Sequence, residues 1–137
     1  MPLISRIYRE AFTAEMQAVT ELQNAFLGWD DAAGLALCEA LKHAHEQGGL
    51  QTLKLLDLKA NRLGDATVSH LVDLVNQNGL ASLECLSLGS NNISDEGLRS
   101  LASEVARGGL PSCKSIELAG NPGSAAPVQE ALRQRRN

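Results

Sequence analysis

Leu83-Glu-Cys-Leu-Ser-Leu-Gly-Ser-Asn91 stands at the centre of this sequence and has a counterpart on each side. Thirty residues upstream is Leu53-Lys-Leu-Leu-Asp-Leu-Lys-Ala-Asn61, and thirty downstream is Cys113-Lys-Ser-Ile-Glu-Leu-Ala-Gly-Asn121. The pairs Gly49-Leu50, Gly79-Leu80 and Gly109-Leu110 open the three units. The register runs on through Leu63 and Ile93, Asp65 and Asp95, then Val68, Leu98 and Val128. A fixed interval of this length marks stacked supersecondary units, each too small to bury its apolar face alone.

Spacing changes character within each unit. Leu56 and Leu58 alternate at period two, which predicts a short strand with one buried face. Val68, Leu71, Val72 and Val75 follow helical spacing, as do Leu98, Leu101, Ala102 and Val105. Each unit therefore reads strand, loop, helix. Asp65 and Asp95 stand where an N-cap carboxylate would accept from free amides, and we expect them to cap their helices. Asn78-Gly79 and Gly108-Gly109 follow the helices and suit left-handed C-terminal caps.

The first two nine-residue stretches match the L-x-x-L-x-L-x-x-N core of leucine-rich repeats outright, and the third differs only by Cys113 and Ile116 at apolar positions. The run Asn92-Ile-Ser-Asp-Glu-Gly-Leu98 and its helix resemble the longer, helix-bearing ribonuclease inhibitor-like subtype. The resemblance implies an α/β fold: a right-handed β-α solenoid, a horseshoe segment with a short parallel sheet on the concave side and helices on the convex side. It also implies a surface for binding another protein.

Elementary geometry leads to the same curvature. Parallel strands joined through a helix cross over right-handedly. Strands stack roughly 4.7–4.9 Å apart, whereas packed helices need about 8–10 Å, so the sheet must take the inner side. Asn61, Asn91 and Asn121 recur where the chain turns inward from strand to helix. Each amide offers an acceptor and two donors, which suits a structural asparagine ladder pairing backbone groups between coils. Strand residues between the leucines face the concavity in columns: Leu55, Cys85 and Ser115; Asp57, Ser87 and Glu117; Lys59, Gly89 and Ala119, with Lys54 and Glu84 beside them. From this face we expect partner contacts at Lys54, Leu55, Asp57, Lys59, Glu84, Cys85, Ser87, Ser115 and Glu117.

The ends depart from the period. Ile4, Ile7, Tyr8, Ala11, Phe12, Met16 and Val19 follow helical spacing, which predicts an N-terminal capping helix within residues 1–18. Residues 19–48 read as a degenerate first repeat without an asparagine at the ladder position, its secure element being the helix with Leu35, Leu37, Cys38 and Leu41. Trp29 is a candidate for the aliphatic position ahead of that helix. Residues 49–122 carry the repeats, and residues 123–137 a short capping helix, with Pro127 in its first turn, and a basic tail of Arg133, Arg135 and Arg136 read as solvated.

Composition narrows the function. With a net charge of −4 and pI near 5.3 the chain lacks the clustered cations that phosphate neutralisation requires, so no nucleic acid is expected as a partner. No apolar run approaches a membrane span, and three cysteines without framework spacing suit free thiols in the cytoplasm. No phosphate loop, nucleophile elbow or metal dyad stands out: His43 and His45, two apart on a helix, point to different faces. Cys85 has no neighbour in the sequence suited to activating it. The expectation is a binding module with no catalytic residue, metal, cofactor or small-molecule substrate, serving as a scaffold or subunit of a larger assembly; the alternative is a regulatory or inhibitory accessory subunit of an enzyme.

Overall fold

The computed structural model describes residues 20–135; the expected helix over 3–18 and Arg136 lie outside them. Four coils follow one another as β1 (Glu21–Gln23), α1 (Asp31–Glu46), β2 (Leu55–Asp57), α2 (Asp65–Asn76), β3 (Cys85–Ser87), α3 (Asp95–Ala106), β4 (Ser115–Glu117) and α4 (Ala126–Arg135). The strands form one parallel sheet in the order β1-β2-β3-β4, with Leu22, Leu56, Leu86 and Ile116 side by side. Consecutive helices pack on one another, giving a β-α solenoid with a sheet layer and a helix layer. The first coil includes a strand: 34 positions separate Glu21 from its partner Leu55, against 30 between later neighbours, the excess lying in α1, which has 16 residues where α2 and α3 have 12.

The core is the stack of leucine layers between these sheets of elements. Leu53, Leu56, Leu58 and Leu63 are wholly buried, and Leu83, Leu86, Leu88 and Ile93 occupy the same places one coil on. Trp29 takes the position of Leu63 and Ile93 and is buried. At the same register Asn24 replaces Leu58, a polar residue in the first layer.

Two sets of polar side chains tie coil to coil. Asn91 Oδ1 accepts from the Leu63 amide at 3.0 Å, while its Nδ2 donates to the carbonyls of Leu58, Leu88 and Gly89. Asn61 repeats the pattern with the Leu27 and Trp29 amides and the Asn24 carbonyl, and Asn121 with the Ile93 amide and the Leu88 carbonyl. The second set is aspartate. Asp65 and Asp95 do not cap their own helices; Gly64 and Ser94 hold the N-cap positions, with no side-chain cap bond in either. Asp65 instead reaches forward to the next coil, accepting from the Ser94 amide at 2.8 Å and from the Ser94 hydroxyl. Asp31 does the same for the Gly64 and Thr67 amides and the Thr67 hydroxyl, and Asp95 for the Ser124 amide. The first helical turn places the carboxylate beside the following helix start, so it meets that helix's free amides and positive end. Asp30 is a true N-cap for α1, accepting from Ala33.

The helix ends close in one way. At Gly48, Asn78 and Gly108 the backbone is left-handed, and the amide one residue on bonds back to Ala44, Leu74 and Glu104 respectively. This six-to-one bond, with the shorter bonds to His45, Val75 and Val105, is the Schellman arrangement. After α4 a further cap is supplied by a side chain. The guanidinium of Arg135 donates to the carbonyls of Val105, Gly109 and Leu110, at 2.6 Å for the latter two. Arg135 is thus a half-buried cap on the end of α3 and not part of a solvated tail, because α4 packs on α3 and brings the guanidinium to the carbonyls at and just beyond its end, which a charged donor can share with their backbone partners. Arg133 pairs with Glu130 on its own helix.

Replacing Asn91 with Leu removes the acceptor and donors from a buried turn, and we expect a loss of about 1–3 kcal/mol in urea-melt stability; a variant as stable as the wild type would contradict the ladder's role. Asp31 titrates against its surroundings: burial pushes its pKa up, but the Thr67 hydroxyl, the Gly64 and Thr67 amides and the charge of His70 together hold it below the usual carboxylate value. A lowered folded-state pKa stabilises above the unfolded value of about 3.9 and loses that contribution as the pH falls through the folded one. The stability gap between wild type and Asp31→Asn is therefore expected to narrow as melts are taken from about pH 5 towards pH 2, and a constant gap would refute the assignment.

Candidate protein-interaction face

Strand register builds the inner face. Glu21, Leu55, Cys85 and Ser115 form one column and Gln23, Asp57, Ser87 and Glu117 the next, so β1 extends both with polar residues. Lys54, Lys59, Ser115 and Glu117 are exposed, and Leu55, Asp57, Glu84 and Cys85 are half-buried. Lys54 and Glu84 pair at 3.9 Å across adjacent coils, both carboxylate and ammonium being open to solvent. Asp57 accepts from the backbone amide of Lys59 at 3.1 Å, which fixes its carboxylate along the strand's exit.

Ser87 departs from expectation. It is only 4 % exposed, so it is not an open contact residue, and its hydroxyl has no hydrogen-bond partner. The side chain is short and sits between the longer Asp57 and Glu117 in its column.

The face deepens towards β4. A groove of about 840 Å³ lies there, with Ser87, Gly89, Ser115, Glu117 and Ala119 on the sheet side and Gln129, Leu132 and Arg133 of α4 opposite. Among the described residues β4 is the last strand of the sheet, so its outer edge has no strand neighbour there. The side-chain amide of Gln129 donates to the Ile116 carbonyl at 2.7 Å and covers one position of that edge. Sequence reasoning did not include Gln129, Ser90, Lys114 or Arg133 in this site, because the alternation of strand residues names only the inner-face columns and gives no sign that polar residues of α4 line the groove beside β4.

The other end of the face carries a different feature. Phe26 and Leu27, in the loop after β1, are 73 % and 51 % exposed. Phe26 has φ 60°, the left-handed conformation that Ala60, Ser90 and Gly120 adopt at the same place in later coils. A bulky residue is unusual there. Aligning Phe26 with those small residues would have singled it out, had the irregular length of the first coil not hidden the correspondence.

The thiols separate by burial. Cys38 is pushed up to about 12 by burial and then by the charge of Glu39. Cys113 is likewise raised, burial outweighing the hydrogen bond to the Ser115 carbonyl. Cys85 is half-buried in the inner face. His45 approaches the Gln77 carbonyl at 3.0 Å, linking α1 to the end of α2. Among the described residues no group of three His, Cys, Asp or Glu side chains is placed to hold a metal ion, and no helix is long and apolar enough to cross a membrane.

Three comparisons bear on this architecture. The family described as Leucine Rich repeat matches residues 79–102, the stretch holding β3 and most of α3. No curated protein matches the chain. Among solved structures the chain is similar to the leiomodin-1 actin-binding site 2, with a TM-score of 0.69 over 95% of this chain and 92% of that one, at 14% identity. That likeness is one of fold, and the fold is the leucine-rich repeat solenoid.

Burial ranks the three thiols. On treatment of the native protein with iodoacetamide at neutral pH, Cys85 is expected to be alkylated first, with Cys38 and Cys113 reacting only once the chain is unfolded. Peptide mass mapping that finds Cys38 modified ahead of Cys85 would contradict this.

Proposed function

We propose that this chain is a protein-interaction module of the leucine-rich repeat type, ribonuclease inhibitor-like in subtype, that receives an extended segment of another protein in the groove beside β4. The groove, walled by β4 and α4, carries the reading. An extended segment laid there would have its strand pairing restricted, because the Ile116 and Leu118 carbonyls are held by the Gln129 and Asn121 side chains, and would bind chiefly by laying its side chains on the inner face. Lys114, Glu117 and Arg133 line the groove and offer charged contacts to such a segment.

The subtype is supported by the 12-residue helices α2 and α3, which fill the convex layer of each 30-residue coil. The fold supports binding in a general way: a solved structure of similar shape is the actin-binding site 2 of leiomodin-1. Free thiols at Cys38, Cys85 and Cys113 suit work in the reducing cytoplasm as a scaffold or subunit of an assembly.

Affinity capture from the native source, with the partner named by mass spectrometry and its Kd then measured, tests the site. Ala119→Arg fills the groove and Glu117→Lys reverses its rim, and both residues are exposed, so the core is left alone. Each is expected to weaken binding by about tenfold or more, while Ser103→Arg on the convex α3 leaves it unchanged. Equal affinity for wild type and both groove variants would place the interface elsewhere.

A further inference from the structure

Phe26 is held in a strained backbone conformation that no burial of its side chain offsets. Its φ of 60° is left-handed. Leu50 and Leu110 share that conformation, but their side chains are buried, so packing compensates the strain. The Phe26 ring is 73 % exposed, with Leu27 open beside it, and these two are the exposed large apolar side chains among the described residues. Nor is the loop loose. The Phe26 amide donates to the Lys59 carbonyl at 3.1 Å, the Leu27 amide to Asn61 Oδ1 at 3.0 Å, and the Arg62 guanidinium to the Gly28 carbonyl at 3.1 Å. The second coil thus holds an aromatic ring out to solvent in a fixed place.

That place adjoins the groove. The same backbone bond recurs from the Ala60 amide to Gly89 and from the Ser90 amide to Ala119, so Phe26, Ala60, Ser90 and Gly120 form one left-handed row across the four coils. Lys59, Gly89, Ser90 and Ala119 line the groove. Side chains in the row are small in every coil but the first, which makes a low shelf running from the groove to the Phe26 ring. At roughly 4.8 Å per coil the shelf is about 14 Å long, the reach of roughly four or five extended residues. Its charge is of one sign. In the loop stretches 24–28, 58–62, 88–92 and 118–122 the charged residues are Lys59 and Arg62, although the chain as a whole carries a net charge of −4.

We propose that Phe26 and Leu27 anchor the far end of the bound segment, which leaves the groove along this shelf. The segment is acidic and carries one large apolar side chain roughly four or five residues beyond its groove-bound part. This inference rests on the groove reading and adds to it the chemistry of the partner. Carboxylates on the segment meet the two loop cations, and its apolar side chain takes the fixed ring out of water, as aromatic anchors do at interfaces.

Random peptides displayed on phage and selected on the full chain test the proposal, the best of them being synthesised as the probe. We expect the selected sequences to share acidic residues and an apolar residue at that spacing, and the probe to bind less tightly when its carboxylates are changed to amides. Phe26→Gly and Ala119→Arg are each expected to raise the probe's Kd by about tenfold or more. The Phe26→Gly chain is expected to keep or raise its melting midpoint, because glycine takes this φ without strain. Loss of binding with Ala119→Arg alone would overturn the anchor and leave the groove reading standing. Loss with Phe26→Gly alone would break the path between groove and anchor and overturn the proposal. No loss with either variant, or no selected peptide, would overturn both readings. A lowered midpoint for Phe26→Gly would show that the ring packs within the molecule, which also overturns the anchor.

Discussion

An inward turn between strand and helix is the constraint around which this molecule is organised. Each coil must carry backbone amides and carbonyls into the space between leucine layers, where water does not reach, and every such group needs a partner. One asparagine per turn supplies them. Asn91 accepts from the preceding coil and donates both to that coil and to its own, so its hydrogen bonds are at once local and inter-coil. The leucine stack can remain apolar because the polar demand of the turn is met at its edge.

The aspartates apply the same logic at the helix layer. Every α-helix begins with free amides, and in a solenoid those of one coil lie next to the first turn of the previous one. Asp31, Asp65 and Asp95 each spend their carboxylate on the neighbour's start, not their own. Strand pairing, asparagine bonds and aspartate bonds thus join the same pairs of coils at three levels. At the other end of α1, α2 and α3 the solution is a left-handed residue and a back-bond, with Arg135 reinforcing the end of α3 from outside.

A solenoid of this kind has two unlike ends. At β1 the following loop carries the exposed Phe26 and Leu27; at β4 the strand edge stands beside an open groove, partly covered by Gln129. The inner face between the ends is mixed in charge and poor in aromatic side chains, so shape complementarity in the groove matters more than a dense cluster of anchors.

How much was legible in the sequence follows the periodicity. The interval of 30, the alternation of Leu56 with Leu58 and the helical spacing after Val68 were enough for a parallel sheet backed by helices, since hydrophobic burial acts on pattern and each coil repeats it. The strand at 21–23 was obscured because Asn24 stands where a leucine recurs and the coil is four residues longer. The direction of the aspartate bonds could not be read either: an Asp just before a helical pattern satisfies the capping rule locally, and only the stacking of coils brings a second helix start within reach. The same holds for Ser87, placed on the inner face by alternation yet covered by its column, and for Arg135 and Gln129, whose partners lie in other elements. The amino-acid order alone determined the repeating coil, because apolar spacing is a property of the chain; which polar group meets which neighbour, and where a groove is left open, were decided by packing between coils, because those distances exist only after the chain has closed on itself.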